Sequence, residues 1–219
     1  MSDARPMADR LNAGLDALGL ALSPEQRGQL LDYLALIQKW NQVYNLTAVR
    51  DPGEMLAYHL LDSLAVVGPL RRHTAGRATR LLDVGSGAGL PGVVLAICCP
   101  ELRVDCVDTV GKKAAFIQQV AVTLKLPQLR GLHGRVEKLA GPYDLICSRA
   151  FASLHDFVTW SAGALAEQGV WMAMKGKHPA EEIAALPPEA VVFHVEPLQV
   201  PGLDAERCLV WLKKAGPVT

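Results

Sequence analysis

The chain has 219 residues, half of them hydrophobic and a fifth charged, and its 22 Lys plus Arg are balanced by 22 Asp plus Glu. That length suits one large domain with an appendage, and the ordinary hydrophobic share excludes an extended disordered tail. Zero net charge excludes a global field toward phosphates or membranes, so any nucleic-acid site must be local.

The N-terminal part, residues 1–75, reads as a helical extension packed on the rest. Ser23-Pro24-Glu25-Gln26 offers an N-cap, a proline at the first helical position and a capping-box glutamine. Leu30, Leu31, Leu34, Ile37 and Val43 follow at helical spacing, which predicts a helix through about Trp40. Asp51-Pro52 opens a second helix with Met55, Leu56, Leu60, Leu61, Leu64 and Val67 on its apolar side, expected to end near Gly68-Pro69. Asn45-Leu46-Thr47 matches a glycosylation sequon, but nothing else in the sequence suggests secretion.

From residue 76 to 219 short apolar runs alternate with helical patterns. Strands are predicted at Leu81–Val84, Val104–Asp108, Leu129–His133, Asp144–Ser148, Val170–Met174, Val191–Val195 and Cys208–Lys213. Helices are predicted at Pro91–Cys99, Gly111–Leu126 and Leu154–Glu167. The alternation implies βαβ units on a parallel sheet. The last two strands have only Pro201-Gly202 and a short loop between them, too little for a crossover helix, so they should pair antiparallel. The expected fold is α/β, a seven-stranded mostly parallel Rossmann-like sheet with an antiparallel C-terminal hairpin. That arrangement resembles the class I S-adenosylmethionine (SAM) methyltransferases.

The glycines of DVGSGAGLPG fall where such a sheet binds its ligand, beyond the carboxyl end of the first strand. Gly85, Gly87 and Gly89 can adopt positive φ and let a ligand lie on the backbone. A dinucleotide is the obvious competitor, but GxGxxG would require glycine where this chain has Leu90. Pro91 also lacks the N–H that a pyrophosphate seat would use. An adenosine ligand needs an acid for its ribose at the end of the second strand. Asp108 is expected to take that role and Asp105 to be a solvated strand residue. Glu137, after the third strand, lies where the adenine edge would be, with a surface helix-start acid as the alternative.

No Asp/Asn-Pro-Pro-aromatic run for amine methylation follows the fourth strand, where Ser148-Arg149-Ala150-Phe151 stands instead. Cys147 lies inside an apolar strand without the Pro-Cys setting of a carbon-methylating nucleophile, and reads as packing. The other cysteines, Cys98, Cys99, Cys106 and Cys208, read as reduced core residues, and no His/Cys/acid cluster has metal-ligand spacing. Any nucleic-acid contact is expected to come from local basic residues. Lys175 and Lys177 are favoured as phosphate ligands, while Arg71, Arg72, His73, Arg77 and Arg80 form either a second contact or a solvated linker. Phe151 could stack on a flipped base or pack in the core. His59 and Asp62, near one face of their helix, suggest a structural hydrogen bond from helix to site.

NLTA (45–48), HLLDSL (59–64), DVGSGAGLPG (83–92), GRVE (134–137), SRAFASL (148–154) and the late LKK together resemble the glucose-inhibited division protein B family. The likeness runs from about Tyr33 to the C-terminus. It departs mildly at Thr109, where the family usually has serine. The resemblance implies a SAM-dependent methyltransferase acting on N7 of a guanine in bacterial 16S ribosomal RNA, with S-adenosylhomocysteine (SAH) as product. It implies that Gly85 and Leu90 line the cofactor pocket, that Val136 and Glu137 hold the adenine side, and that Arg149 completes the site. Its partner would be 16S rRNA, the 30S subunit or an assembly intermediate. Two alternatives stand beside it: a SAM methyltransferase acting on a protein or small molecule, and a non-catalytic SAM-binding assembly factor. With no charged-then-apolar leader and no apolar run near the roughly 20 residues of a membrane span, a cytoplasmic protein without membrane or metal is expected.

Overall fold

A computed structural model describes residues 6–216; residues 1–5 and 217–219 of the two expected stretches lie outside the described residues. The chain begins with α1 (Met7–Ala17) and α2 (Pro24–Tyr44). The predicted capping box starts α2: the Ser23 hydroxyl accepts the Gln26 N–H at 3.1 Å, and the Gln26 side chain accepts the Ser23 N–H at 3.0 Å. Asp51 caps α3 (Pro52–Met55), which continues as a π-helical stretch, Leu56–Leu61, and then α4 (Asp62–Leu64). A further helix, α5 (Val67–Thr74), corrects the expectation of an end at Gly68-Pro69. Pro69 falls in the first turn of α5, where an N–H has no intrahelical acceptor and its loss costs nothing.

The α/β part follows as β1 (Thr79–Val84), α6 (Gly92–Cys98), β2 (Leu102–Asp108), α7 (Gly111–Thr123) and β3 (Leu129–His133). A 3₁₀ turn at Val136–Lys138 leads to β4 (Tyr143–Arg149), α8 (Leu154–Ser161), β5 (Leu165–Lys175), α9 (Ala180–Ala184), β6 (Ala190–Leu198) and β7 (Arg207–Lys214). α8 is shorter than expected because Leu165 pairs with Tyr143 and opens β5, so sheet pairing overrides helical periodicity there.

The seven strands lie in the order β3-β2-β1-β4-β5-β7-β6. Neighbours from β3 to β5 are parallel, and β7 runs antiparallel to both β5 and β6, the expected hairpin. Alternate side chains build two cores. Leu81, Val104, Cys106, Leu145 and Cys147 face the helices α1, α2, α6 and α7, while Leu82, Val107 and Ile146 face α8. Burial on both faces explains why the parallel strands read as continuous apolar runs. Strand order reverses between β1 and β4, which opens a crevice beyond their carboxyl ends.

Candidate active site

A cavity of about 430 Å³ occupies that crevice, and its wall includes Val84, Gly85, Asp108, Val136, Glu137 and Phe151. The glycine turn is held at its start by Val107, whose carbonyl accepts the N–H groups of Gly85 at 2.9 Å and Ser86 at 3.2 Å. Gly85, Gly87 and Gly89 all have positive φ, at 67°, 58° and 95°. At Gly85 the reason is on both sides of the backbone. The conformation excludes most side chains, and a Cβ would overlap the Phe151 ring.

Asp108 ends β2 and points into the crevice, as its place at the strand terminus predicts. Its carboxylate joins two turns, accepting the Gly87 N–H at 3.0 Å and the Val110 N–H at 2.8 Å. A carboxylate has about four acceptor positions, so it keeps capacity for further donors, with the Lys113 ammonium 4.0 Å away. Val136 and Glu137 sit on the 3₁₀ turn across the cavity. Gly87 reaches the site through Asp108, whereas Gly89 and the buried Leu90 direct toward the core and not the wall.

Asp105 is a correction. It is only 5% exposed, not solvated. Arg130 grips both of its oxygens at 2.6 Å, and the Tyr143 hydroxyl donates to it at 2.8 Å. A buried charge so paired is a structural anchor between β2, β3 and β4.

Asp83, one strand position before Val84, lines neither cavity but supports the turn, a role that sequence reasoning passed over. It is fully buried and accepts the Gly92 N–H at 2.9 Å, tying the end of β1 to the start of α6. Burial pushes its carboxyl up to about 7, against the opposing pull of the Gly92 N–H and the Arg149 guanidinium. The Cys147 thiol donates to it at 3.7 Å, and burial raises that thiol's pKa, which fits packing and not nucleophilic attack. All five cysteines are free and buried, as expected.

Arg149 is the last residue of β4. Its Nη1 donates to the Tyr58 carbonyl at 2.8 Å and to Asp62 at 2.9 Å. The other Asp62 oxygen accepts from Nε of Arg207 at 2.9 Å, so one buried carboxylate from the helical region orients two arginines at the carboxyl end of the parallel strands. The expected helix-to-site hydrogen bond therefore belongs to Asp62; His59 instead contacts the Thr47 hydroxyl at 2.8 Å. Burial, and then the nearby Arg149, hold the His59 imidazole below its usual range. Arg149, Arg207, His59, Asp62 and Lys175 line a second cavity of about 460 Å³, and Ala150, at φ 51°, lines both cavities.

Lys175 donates to the Ala152 carbonyl at 2.9 Å and pairs with Glu182 at 2.8 Å, while Lys177 is exposed. Phe151 lies at the first cavity and meets the Phe157 and Trp160 rings edge-on. The basic run at 71–80 is not a linker. It spans the end of α5 and the start of β1, with Arg71 on the Cys98 carbonyl, Arg72 on Glu196, His73 stacked on Trp211 and Arg80 over the Tyr143 ring. The start of β1 is the opposite end of the sheet from the cavities. Among the described residues no cluster of three or more His, Cys, Asp or Glu side chains could hold a metal ion, and no helix is long and apolar enough to cross a membrane.

Comparison with known proteins agrees with this geometry. The family profile described as GidB, rRNA small subunit methyltransferase G, matches residues 26–210. A protein of Paracidovorax citrulli named Ribosomal RNA small subunit methyltransferase G is 66% identical over 214 residues, covering 93% of this chain and 88% of its own. A protein of the same name from a Polaromonas species is 68% identical over 207 residues, covering 93% and 92%. Among solved structures, a TehB-like SAM-dependent methyltransferase from Corynebacterium glutamicum superposes with a TM-score of 0.52 at 16% identity, over 84% of this chain and 99% of that one. At that identity the likeness concerns the fold alone.

Proposed function

The chain belongs to the rRNA small subunit methyltransferase G family and is a SAM-dependent rRNA methyltransferase, and from that premise we propose that it methylates N7 of one guanine in 16S ribosomal RNA. The observation that supports this best is the pair of cavities that share Ala150 in their walls, one beside the glycine turn and Asp108 and the other lined by Arg149, Arg207 and Lys175. In this proposal the backbone at Gly85, the Asp108 carboxylate and the Val136-Glu137 turn hold the cofactor; Gly87 and Gly89 shape the turn, and Leu90 supports it from the core. The second cavity takes the target nucleotide, with Arg149 and Arg207 toward its phosphate or base.

When bound, the cofactor supplies a methyl group on a sulfonium. Guanine N7 carries its lone pair in the ring plane and has no proton to lose, so the chain needs no general base. Its residues act by alignment and by excluding water, a contribution that can reach several powers of ten. Arg149 and Arg207 present forked donors, which suit a phosphate better than a lysine's point charge. After Asp62 and the backbone are served, Arg149 keeps its Nε and Nη2 groups, and Arg207 its Nη2, without a partner among the described residues. Phe151, beside Ala150 in the wall of the first cavity, is assigned to shield the methyl path or to touch the base.

The division into a helical extension through residue 75 and a methyltransferase domain from residue 76 belongs to the same proposal, as do the 16S RNA, free or within a 30S particle or its assembly intermediate, and a cytoplasmic location. Incubation of unmodified 16S RNA or 30S subunits with enzyme and SAM should give N7-methylguanine as the only product. Alkaline borohydride followed by aniline should then cleave the RNA at one new site. Methyl incorporation without cleavage would place the methyl on another atom.

Lys175 and Lys177 are assigned to RNA phosphates. Because Glu182 already balances Lys175, Lys177→Ala should carry most of the effect, lowering the slope of log affinity against log salt by about one while SAM affinity stays unchanged. An unaltered slope would return Lys177 to the solvated surface.

A further inference from the structure

We propose that Trp160 is the stacking face for the cofactor's purine, a role that rests on the assignment of the first cavity to SAM. Trp160 lies in α8 and lines that cavity, and it is 41% exposed although Trp171 and Trp211 are almost wholly buried. An indole left open to water beside a cavity is an unsatisfied apolar surface, and a planar aromatic ligand would cover it.

Its placement selects which part of the ligand it meets. α8 packs against the 3₁₀ turn Val136–Lys138, so the indole stands on the Val136-Glu137 side of the cavity, the side assigned to adenine. Its orientation is fixed from behind. The Phe151 ring meets Trp160 edge-on at 5.8 Å and 80°, and Phe151 meets the buried Phe157 edge-on at 6.5 Å and 77°. This chain of perpendicular ring contacts braces an indole that stays 41% exposed, and such preorganisation spares the ordering cost on binding. Phe151 thereby links the glycine turn, where it abuts Gly85, to the adenine wall.

Isothermal titration with SAH and with adenosine tests the proposal. Trp160→Ala should weaken both ligands about tenfold or more, the range for loss of one base-aromatic stack. Trp160→Phe should stay within about threefold of the parent. Equal affinity in the parent and Trp160→Ala would overturn the role of Trp160 and leave the cofactor assignment standing; failure of the parent to bind SAH would overturn the cofactor assignment itself. Weaker RNA binding with unchanged SAH binding would make Trp160 an RNA contact instead and overturn the proposal. A measurement on the parent protein needs no substitution: saturation with SAH should reduce acrylamide quenching of tryptophan fluorescence, because Trp160 is covered. Unchanged quenching would overturn the proposal even if Trp160→Ala failed to fold.

Discussion

Gly85→Val is expected to lower SAH affinity about 100-fold or more while the protein still folds. Two effects act together. The backbone at φ 67° is an outlier for a β-branched residue, a strain of about 1–3 kcal/mol. The new methyls would also occupy the space now taken by the Phe151 ring and push that ring into the cavity. Gly85→Ala should fall between parent and valine, since it shares the strain but adds less bulk. Titration calorimetry checks the affinity and a melting curve checks the fold. SAH binding by Gly85→Val within twofold of the parent would mean that the ligand does not approach this turn.

Arg149→Lys should lower kcat about 100-fold with little change in SAH affinity, the loss expected from a misplacement of about 1 Å at a reacting centre. Lysine keeps the charge, but one ammonium cannot hold the Tyr58 carbonyl and Asp62 and still offer a planar pair of donors to substrate. Asp62 retains Arg207 in the variant, so the carboxylate is not left unpaired and the melting profile should shift by no more than a few degrees. Single-turnover methylation separates the step itself from product release. A large fall in SAH affinity would instead place Arg149 on the cofactor, the role implied by the family resemblance.

The fold was legible from the sequence because its signals are local. Ser23 and Gln26 cap a helix from three residues apart, and an apolar run ending in Asp108 and a turn is visible without knowing its neighbours. The same locality exposed the glycine turn. What escaped depends on distant partners. Asp105 reads as a wet strand residue until Arg130 and Tyr143, 25 and 38 positions on, cover it. The clamp from Asp62 to Arg207 spans 145 positions, and Arg207 itself looks like an ordinary strand-start cation. Trp160 sits in an apolar helical pattern whose other members, Phe157 and Val158, are core. Only the fold reveals that its ring opens onto the cavity.

The bond from the Tyr33 hydroxyl to the Ala88 carbonyl, at 2.7 Å, carries the glycine turn's order into α2, well outside the sheet. Gln26 reaches the Ile97 and Cys98 carbonyls and Gln29 the Leu124 carbonyl, so α2 also finishes the hydrogen bonding of α6 and α7. Leu30, Tyr33, Leu34 and Ile37 share one core with Phe116 and Ile117. Each such side chain contributes about 1.5–3 kcal/mol when buried, and a whole domain holds only about 5–15 kcal/mol in reserve. The helical region is therefore not a cassette that could be removed or exchanged between enzymes. The glycine turn and the helices before it are expected to melt together, in one transition of a calorimetric scan.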